Sequence, residues 1–373
     1  MKIGFDAKRA FCNHRGLGNY SRETIRIMST QIPGNQYFLF TPDICPDIRF
    51  ELTGNTEVVL PSFSPGNLTK AFWRTYLIPE KAKQKGVELY HGLSHELPIG
   101  IEKTKIHTVV TMHDLLFIKQ PELFSKFDRE MYSKKYLRSC KVADRIIAVS
   151  EHTKRDLVEL TDTPEEKVEV VYQGCRPDFK MLVGETKKKM IKERYHLPSN
   201  YLLNVGAFEP RKNQMLILKA LKAGKIDMPL VIAGRKTDYI EELRDFIAKN
   251  GLENQVRLFP DFLEEHLPAL YQCATLFVFP STYEGFGIPV VEALTSGIPV
   301  IAATGSCLEE SGGPDSIYVN PNDEEELAAR INELLSDEQK RTSMMLKGLS
   351  YTQRFTDEAI AENLNRIYKS IVP

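Results

Sequence analysis

Two glutamates, Glu284 and Glu292, and a glycine pair, Gly285 and Gly287, occur together in one short stretch of the chain. If a helix begins there, its first N–H groups have no partner within the helix and its dipole favours negative charge. The glycines would let an anionic ligand approach the backbone closely. Because carboxylates repel phosphate, we expect the two glutamates to accept hydrogen bonds from hydroxyl groups. A ligand with a central diphosphate and polyols at both ends, a nucleotide-sugar, fits this combination.

The sequence around these residues predicts a strand, a loop and a helix. The apolar run Leu276–Phe279 is typical of a buried parallel strand. Pro289 falls in the first turn of the predicted helix, where a missing N–H costs least, and Gly297 suits the helix end. An ordinary strand–loop–helix crossover with two solvated glutamates is the alternative, since a fold does not fix a function.

Two adjacent cations, Arg211 and Lys212, follow another predicted strand, which ends at Gly206. Arginine presents a planar fork of donors and lysine a point charge, and together they suit a diphosphate. A charged surface turn is the alternative.

His113 follows a predicted strand directly, at the carboxyl edge where ligands bind in open α/β sheets. His91 and His95 have the four-residue spacing of a zinc pair. Gly92 and Pro98 argue against a helix there, however, and no third ligand is apparent, so we predict no metal site.

Apolar runs alternate with helical patterns along the whole chain, which predicts an α/β fold with parallel sheets covered by helices on both faces. The runs form two series on either side of a polar join at 173–200. We therefore expect two Rossmann-like, doubly wound domains facing across a cleft. The first is placed at 1–175 and the second at 176–355.

Composition excludes several classes of protein. Hydrophobic residues make up 42% and charged residues 27% of the 373, as in a globular protein, and a net charge of −1 gives no support for nucleic acid as a partner. Six scattered cysteines predict reduced thiols and a cytoplasmic location. No apolar run approaches the ~20 residues that span a bilayer.

Two predicted helices, 68–85 and 124–141, combine basic and aromatic residues. The usual interpretation is a solvated face on an amphipathic helix. The alternative is a surface that makes peripheral contact with anionic lipid or with a lipid-diphosphate sugar carrier.

The segment E-G-F-G-I-P-V-V-E-A-L, 284–294, resembles the signature of the retaining glycosyltransferases of family 4, which have the GT-B fold. The resemblance implies that Glu284 lies beside the donor sugar and that Glu292 binds the nucleotide ribose. The R-K-N segment beginning at Arg211 is similar to the family motif that holds the leaving nucleoside diphosphate. His113 would then hydrogen-bond the donor sugar. The catalytic residues implied in this way are His113, Arg211, Lys212 and Glu284.

The same resemblance extends the predicted donor site. R-G-L-G-N-Y, 15–20, is expected to be a glycine-rich loop near the donor phosphates and the acceptor. Backbone groups at Phe262 and Leu263 would meet the nucleobase, and a C-terminal helix at about 356–373 would pack back on the first, acceptor-binding domain. The predicted donor-binding residues are Gly16, Gly18, Gly206, Phe262, Leu263, Gly285, Phe286, Gly287, Ile288 and Glu292.

The activity implied is that of a metal-independent retaining hexosyltransferase. It would move a hexose, mannose first, from a GDP- or UDP-linked donor to a hydroxyl of a glycan or lipid-linked acceptor in surface polysaccharide synthesis. Asp-x-Asp occurs nowhere in the chain, so we expect cations and helix dipoles to replace a metal, with no cofactor. A nucleotide-sugar 2-epimerase, which needs no acceptor, and a non-catalytic nucleotide-sugar-binding protein are the alternatives.

Overall fold

The computed structural model describes the chain except for residues 47, 49, 63–65, 261 and 373. The chain forms two compact units. The first unit consists of Met1–Gln173 together with Phe355–Pro373, and the second of Gly174–Arg354. The chain therefore leaves the first unit once and returns to it at its C-terminal end.

Within its described residues, the first unit contains a seven-stranded sheet whose neighbouring strands all pair in parallel. The strands are β1 (Lys2–Asp6), β2 (Gln36–Phe40), β3 (Thr56–Val59), β4 (Leu89–Gly92), β5 (His107–Met112), β6 (Arg145–Ala148) and β7 (Val168–Val170). Their order across the sheet is β3-β2-β1-β4-β5-β6-β7. The direction of winding reverses between β1 and β4, the point at which doubly wound sheets bind ligands.

Helices connect these strands. They are α1 (Lys8–Cys12), α2 (Gly16–Gln31), α3 (Asn67–Phe72), α4 (Ile78–Lys85), α5 (Leu116–Lys119), α6 (Lys126–Val142) and α7 (Glu151–Thr161). Ser125 and Ser150 begin α6 and α7 by accepting hydrogen bonds from the N–H groups of Asp128 and Thr153, as N-cap residues do.

The predicted helix at 68–85 is interrupted by a π-helical turn, Trp73–Leu77, between α3 and α4. Pro79 lacks an N–H and cannot bond the carbonyl of Thr75 four residues earlier. That carbonyl instead accepts a hydrogen bond from the N–H of Ile99, at 2.7 Å. The interruption thus ties this helix to the loop after β4.

The second unit contains, in its described residues, a six-stranded sheet that is also parallel throughout. Its strands are β8 (Leu202–Val205), β9 (Leu230–Gly234), β10 (Val256–Pro260), β11 (Leu276–Phe279), β12 (Val300–Ala303) and β13 (Ile317–Val319), in the order β10-β9-β8-β11-β12-β13. Its helices are α8 (Glu185–Arg194), α9 (Gln214–Ala223), α10 (Tyr239–Lys249), α11 (Leu267–Gln272), α12 (Ile288–Thr295), α13 (Leu308–Gly312), α14 (Glu324–Ser336) and α15 (Glu338–Tyr351).

The last helix, α16 (Asp357–Ile371), packs against α2 in the first unit. Leu364, Ile367 and Tyr368 are buried in the same core as Ile3 and Phe5 of β1. The helix begins at Thr356, whose side chain accepts a hydrogen bond from the N–H of Ala359. Among the described residues, no helix has both the length and the apolar character needed to cross a membrane.

The parallel α/β architecture predicted from the alternating runs is confirmed, but those runs do not predict the edge strands β3 and β13. Both are short edge strands whose side chains are mostly only partly buried, so they lack the apolar runs that mark the central strands.

The prediction of six reduced thiols is wrong for Cys12 and Cys45, which form a disulfide with Cα atoms 5.2 Å apart. The segment after β2 returns to the end of α1, where the N–H of Cys45 bonds the carbonyl of Phe11. Two cysteines that are 33 residues apart in the sequence form no spacing motif from which the disulfide could be predicted. The other four, Cys140, Cys175, Cys273 and Cys307, are free thiols.

Candidate active site

Arg211 and Lys212 lie in a single 3-10 turn between β8 and α9. Asn213 follows in a left-handed conformation, with φ of 56°. Its side-chain amide donates to the carbonyls of Pro280, at 3.1 Å, and Pro321, at 2.7 Å. Asn213 thereby fixes the turn that carries both cations against the loop after β11.

One carboxylate oxygen of Glu284 contacts both cations. This oxygen, Oε1, accepts hydrogen bonds from Lys212 Nζ at 2.5 Å and from Ser281 Oγ at 2.6 Å, and it forms an ion pair with Arg211 at 2.9 Å. Arg211 also donates to the carbonyl of Tyr283, at 2.6 Å. The side chains of Lys212, Glu284 and Arg211 are only 11%, 12% and 16% exposed, so the interaction is shielded from solvent.

Electrostatic interactions within this cluster keep the carboxyl group of Glu284 ionised. Burial alone would raise the pKa of its carboxyl, but the charges of Lys212 and Arg211 and the hydrogen bonds from Lys212 and Ser281 lower that pKa to about 2. Burial lowers the pKa of Lys212, and Glu284 opposes that shift.

A neighbouring carboxylate, Glu209, extends the cluster. It pairs with Arg211 at 3.3 Å and with Arg235 at 3.0 Å. Three cations therefore face two carboxylates, and the surplus positive charge suits an anionic ligand.

The loop after β11 leads directly into α12. Gly287, the residue before the helix, has φ of 103°, and a Cβ there would lie 2.7 Å from Ser311 Oγ and 2.8 Å from Leu308 Cδ2. Only glycine fits this position without strain. Ile288 is the first helical residue, and Gly285 and the buried Phe286 precede it in the loop.

Two further glycines lie where β8 and β9 end. The N–H of Gly206 donates to the carbonyl of Ala233, at 2.9 Å. A Cβ on Gly234 would lie 1.8 Å from the carbonyl oxygen of Gly206, so this close approach requires glycine. The site prediction omitted Gly234, although a glycine that ends a strand and precedes Arg235 was a signal for close backbone contact.

Glu292 lies on α12, where its Oε2 accepts a hydrogen bond from the phenol of Tyr271 at 3.0 Å. Burial raises the pKa of this carboxyl to about 7, against the opposing effects of Arg176 and of the Tyr271 hydrogen bond. Tyr271, Arg176 and Ser281 were missed by the sequence argument, because their sequence positions give no sign of contact with the glutamates.

Phe262 and Leu263 follow β10. The ring of Phe262 lies 4.3 Å from that of Tyr195, and the carbonyl of Leu263 accepts a hydrogen bond from the N–H of His266 at 3.0 Å. The predicted contact of their backbone with a base stays a prediction.

In the first unit, His113 follows β5 and is 6% exposed. Its Nε2 lies 3.0 Å from the carbonyl of Leu93. A carbonyl can only accept, so Nε2 carries the proton and Nδ1 is left as an acceptor. Burial lowers the pKa of this imidazole to about 4, so it is neutral at pH 7. The rings of Tyr20 and His95 pack edge-on against it.

His91 and His95 use both ring nitrogens in hydrogen bonds. His91 contacts the hydroxyls of Tyr368 and Thr111, at 2.6 and 2.8 Å. His95 contacts the hydroxyl of Tyr136 at 2.7 Å, and its Nε2 accepts from the N–H of His113 at 2.9 Å. Both imidazoles therefore stabilise the surrounding structure through hydrogen bonds.

The prediction of a glycine-rich loop at 15–20 is wrong, because α2 begins at Gly16. Gly16 is exposed in the first turn, and a Cβ there would meet no atom within 4 Å. A Cβ on Gly18 would lie 1.8 Å from the carbonyl oxygen of Asn13. Gly18 is thus explained by packing, and a role near donor phosphates stays a prediction.

Two family models match the chain. "Glycosyl transferases group 1" matches residues 185–349 and "Glycosyltransferase Family 4" matches residues 15–179. Together they take in most of both units.

Named relatives are similar over much of the chain. It is 29% identical over 287 residues to O-antigen chain mannosyltransferase B of Escherichia coli, a match that covers 75% of this chain and 74% of that protein. It is 28% identical over 275 residues, 71% of its length, to serotype-specific mannosyltransferase WbdA of Escherichia coli. That match covers 34% of WbdA, so the chain spans about a third of that relative.

A solved structure has the same fold. Alr3699/HepE of Anabaena, in complex with UDP and glucose, superposes with a TM-score of 0.74 at 20% identity over 99% of both chains. Two parallel sheets of this kind and these family matches define a GT-B glycosyltransferase. The chain belongs to family 4 of the glycosyltransferases.

Proposed function

We propose that the protein is a retaining hexosyltransferase that transfers a hexose from a nucleoside-diphosphate sugar to an acceptor hydroxyl. The observation that carries this proposal is the buried Arg211–Lys212–Glu284 cluster at the ends of β8 and β11. It supplies cations, shielded from solvent, where the nucleotide of a doubly wound domain binds.

The cations would act on the leaving group. Cleavage of the bond between the anomeric carbon and the phosphate oxygen leaves negative charge on the diphosphate, and preorganised cations in a shielded site stabilise that charge strongly. Arg211 and Lys212 provide two such groups. The first-turn N–H of Ile288, at the positive end of α12, provides a further donor. Activity is therefore proposed to need no metal and no cofactor.

Glu284 is suited to orienting the sugar rather than to attacking it. Its pKa of about 2, the hydrogen bonds that Lys212 and Ser281 donate to Oε1 and the ion pair with Arg211 make it a weak nucleophile. The acceptor hydroxyl would then approach on the face that the diphosphate leaves. The departing phosphate oxygen takes the acceptor's proton while the new glycosidic bond forms, and configuration is retained. His113 would accept a hydrogen bond from a donor-sugar hydroxyl through Nδ1.

Mannose is the hexose we propose first, because O-antigen chain mannosyltransferase B and WbdA are named as mannosyltransferases. GDP-mannose is the corresponding donor and a UDP-hexose the second candidate, as the UDP complex of HepE suggests. The acceptor would be a glycan or a lipid-linked sugar in surface polysaccharide synthesis. The matches give no support to the epimerase alternative, and the named mannosyltransferases favour a catalyst over a non-catalytic binding protein.

The proposed location is the cytoplasm, with peripheral membrane contact as a further hypothesis. Support for such contact comes from exposed apolar side chains on the helices at 67–85 and 126–142. Leu68, Phe72, Tyr76 and Phe127 are 90%, 54%, 49% and 76% exposed.

The experiment is to incubate the protein with GDP-mannose or UDP-glucose and methyl α-D-mannopyranoside, with EDTA present, and to follow products by NMR. Release of one nucleoside diphosphate together with an α-linked product is expected. A β-linked product would contradict retention, and no release from either donor would contradict the assigned donors.

A further inference from the structure

His95 has a backbone conformation that is uncommon for a residue with a side chain. Its φ is 65°, in the left-handed region, and it lies in the loop that follows β4. Strain of this kind persists only where the surrounding structure imposes it, and it is concentrated at functional sites. The contacts of His95 indicate what this conformation achieves.

Two of these contacts join His95 to the main chain at the end of β5. Its N–H donates to the carbonyl of Thr111 at 2.9 Å, and its Nε2 accepts from the N–H of His113 at 2.9 Å. β4 ends at Gly92, so the imidazole supplies the acceptor that a longer neighbouring strand would offer to the His113 N–H. The side chain of His95 thus replaces a backbone partner of His113.

The imidazole of His95 can do this in one tautomer only. Because Nε2 accepts, the proton of the neutral ring is on Nδ1, which donates to the hydroxyl of Tyr136 at 2.7 Å. Burial lowers the pKa of His95 well below its usual value. At pH 7 the ring is therefore neutral, and Nε2 stays available to the His113 N–H.

Further contacts hold His113 itself. Its carbonyl accepts from Thr153 Oγ1 at 3.3 Å, and its ring Nε2 donates to the carbonyl of Leu93 at 3.0 Å. Leu93 and His95 belong to the same loop, so one segment holds both the ring and the main-chain N–H of His113. These contacts leave Nδ1 to accept a hydrogen bond from a ligand.

We infer that His95 is a positioning residue, which fixes the main chain of His113 and thereby the direction of His113 Nδ1. His95 acts through His113 and does not touch the substrate. That Nδ1 meets a sugar hydroxyl rests on the proposed function, whereas the tautomers and the position of the ring do not. A displacement of about 1 Å in a group that orients the substrate can reduce turnover about 10²-fold.

His95→Gln and His95→Leu are the matched variants. Both side chains are close to histidine in size and both are strained at φ of 65°, but only glutamine has an oxygen that can accept from the His113 N–H. His95→Leu should lower kcat about 10²-fold, whereas His95→Gln should retain kcat within about tenfold of the wild type. The dissociation constants of GDP and UDP should stay unchanged in both variants, because the proposed diphosphate residues lie in the second unit.

Tyr37→Phe controls for a loss of stability. Tyr37 is fully buried in the same unit and its hydroxyl donates to the carbonyl of Met28 at 2.8 Å, so its loss should lower the midpoint of thermal unfolding and leave kcat unchanged. Turnover is measured well below the midpoint of each variant. Equal kcat in His95→Leu and the wild type, equal losses in His95→Leu and His95→Gln, or a loss of kcat in Tyr37→Phe would each overturn the inference.

Long-range ¹H–¹⁵N NMR spectra of the imidazole rings test the same inference without substrate. The wild type should carry the His95 proton on Nδ1 and the His113 proton on Nε2. The His113 ring should populate both tautomers in His95→Leu and keep one in His95→Gln. A His95 proton on Nε2, or a single tautomer of His113 in His95→Leu, would overturn the inference. If the spectra agree but the wild type transfers no hexose, the proposed function fails and the positioning of His113 stands.

Discussion

Glu284 holds both cations of the proposed diphosphate site through one oxygen, Oε1. Two buried cations without a counter-ion would repel each other and lose their hydration, so the carboxylate stabilises them before the donor binds. The diphosphate would then add negative charge to a cluster that already has a positive surplus. Glu284 thus has two tasks at the residue scale, to position Lys212 and to face the sugar.

Lys212→Met should reduce turnover about 10²–10³-fold, the loss typical of removing one donor to a developing charge. Methionine lacks the charged Nζ, which lies 5.1 Å from the centre of the Phe279 ring, but its unbranched side chain should fill most of the same space. Steady-state release of nucleoside diphosphate measures the effect.

The control for Lys212→Met is the double variant Lys212→Met/Glu284→Gln. The single variant leaves the buried carboxylate of Glu284 with fewer partners, so it should unfold at a lower temperature. The double variant also removes the negative charge of Glu284, so its stability should recover although its turnover does not. Wild-type turnover in the single variant would contradict the assignment of Lys212.

The affinity for nucleoside diphosphate should fall between pH 8 and pH 6. The pKa of Glu292 is about 7 in the free protein, and ribose hydroxyls donate to its ionised form. Lower pH protonates the carboxyl and reduces the binding-competent fraction, so the dissociation constant should rise up to about tenfold over this range. Isothermal titration across pH measures it.

Glu292→Gln should bind weakly and show no such pH dependence. A flat profile in the wild type, or tighter binding at pH 6, would show that Glu292 does not bind the ribose as a carboxylate.

Secondary-structure elements determine where these side chains meet. β8 and β11 are hydrogen-bonded neighbours, so the turn after β8 and the loop after β11 lie side by side. Asn213 joins them through the carbonyl of Pro280, and the N–H of Thr282 bonds the carbonyl of Arg211 at 2.9 Å. Gly287 then allows α12 to begin at this point with its N-terminus towards the loop.

Gly287→Ala should destabilise the second unit by about 2–4 kcal/mol, because a side chain at φ of 103° is strained and its Cβ would contact Ser311 and Leu308. Donor affinity should fall as the start of α12 shifts. Calorimetric unfolding and nucleotide titration measure the two effects.

Gly305→Ala is the matched control for Gly287→Ala. Gly305 has φ of 83° but meets no atom within 4 Å, so only about 1–2 kcal/mol of backbone strain is expected, with unchanged donor affinity. Equal effects of the two substitutions would show that the contacts of Gly287 are unimportant.

At the scale of the whole molecule, α16 completes the core of the first unit although it follows the second unit in the chain. The hydroxyl of Tyr368 lies 2.6 Å from Nδ1 of His91, and Nε2 of His91 contacts Thr111. Without α16, the core of the first unit would therefore lack some of its buried side chains.

Leu364→Ala, in α16, should lower the free energy of unfolding of the first unit by about 2–5 kcal/mol, since Leu364 is 1% exposed. Leu346→Ala, in α15, is the control, because Leu346 is 59% exposed and its loss should cost under about 0.5 kcal/mol. Denaturant unfolding followed by circular dichroism measures both. Equal effects would contradict the packing of α16 described above.

The sequence predicts best those structural features that depend on a local pattern of residues. The central strands, the start of α12 and the cations after β8 follow from apolar runs, Pro289 and the R-K-N segment. Contacts between distant residues leave no such pattern. The Cys12–Cys45 disulfide, the Tyr271–Glu292 hydrogen bond and the sharing of Glu284 Oε1 by both cations became visible only in the structure.

The central claim is that Arg211 and Lys212 bind the diphosphate of a nucleotide-sugar. The most direct measurement is thermal unfolding of the wild type and of Lys212→Met with GDP, UDP or NAD, with EDTA present. One nucleoside diphosphate should stabilise the wild type by about 2.7 kcal/mol at a hundredfold excess over its dissociation constant, and should stabilise Lys212→Met far less. No stabilisation by either diphosphate, stabilisation by NAD alone, or equal stabilisation of both proteins would contradict the claim.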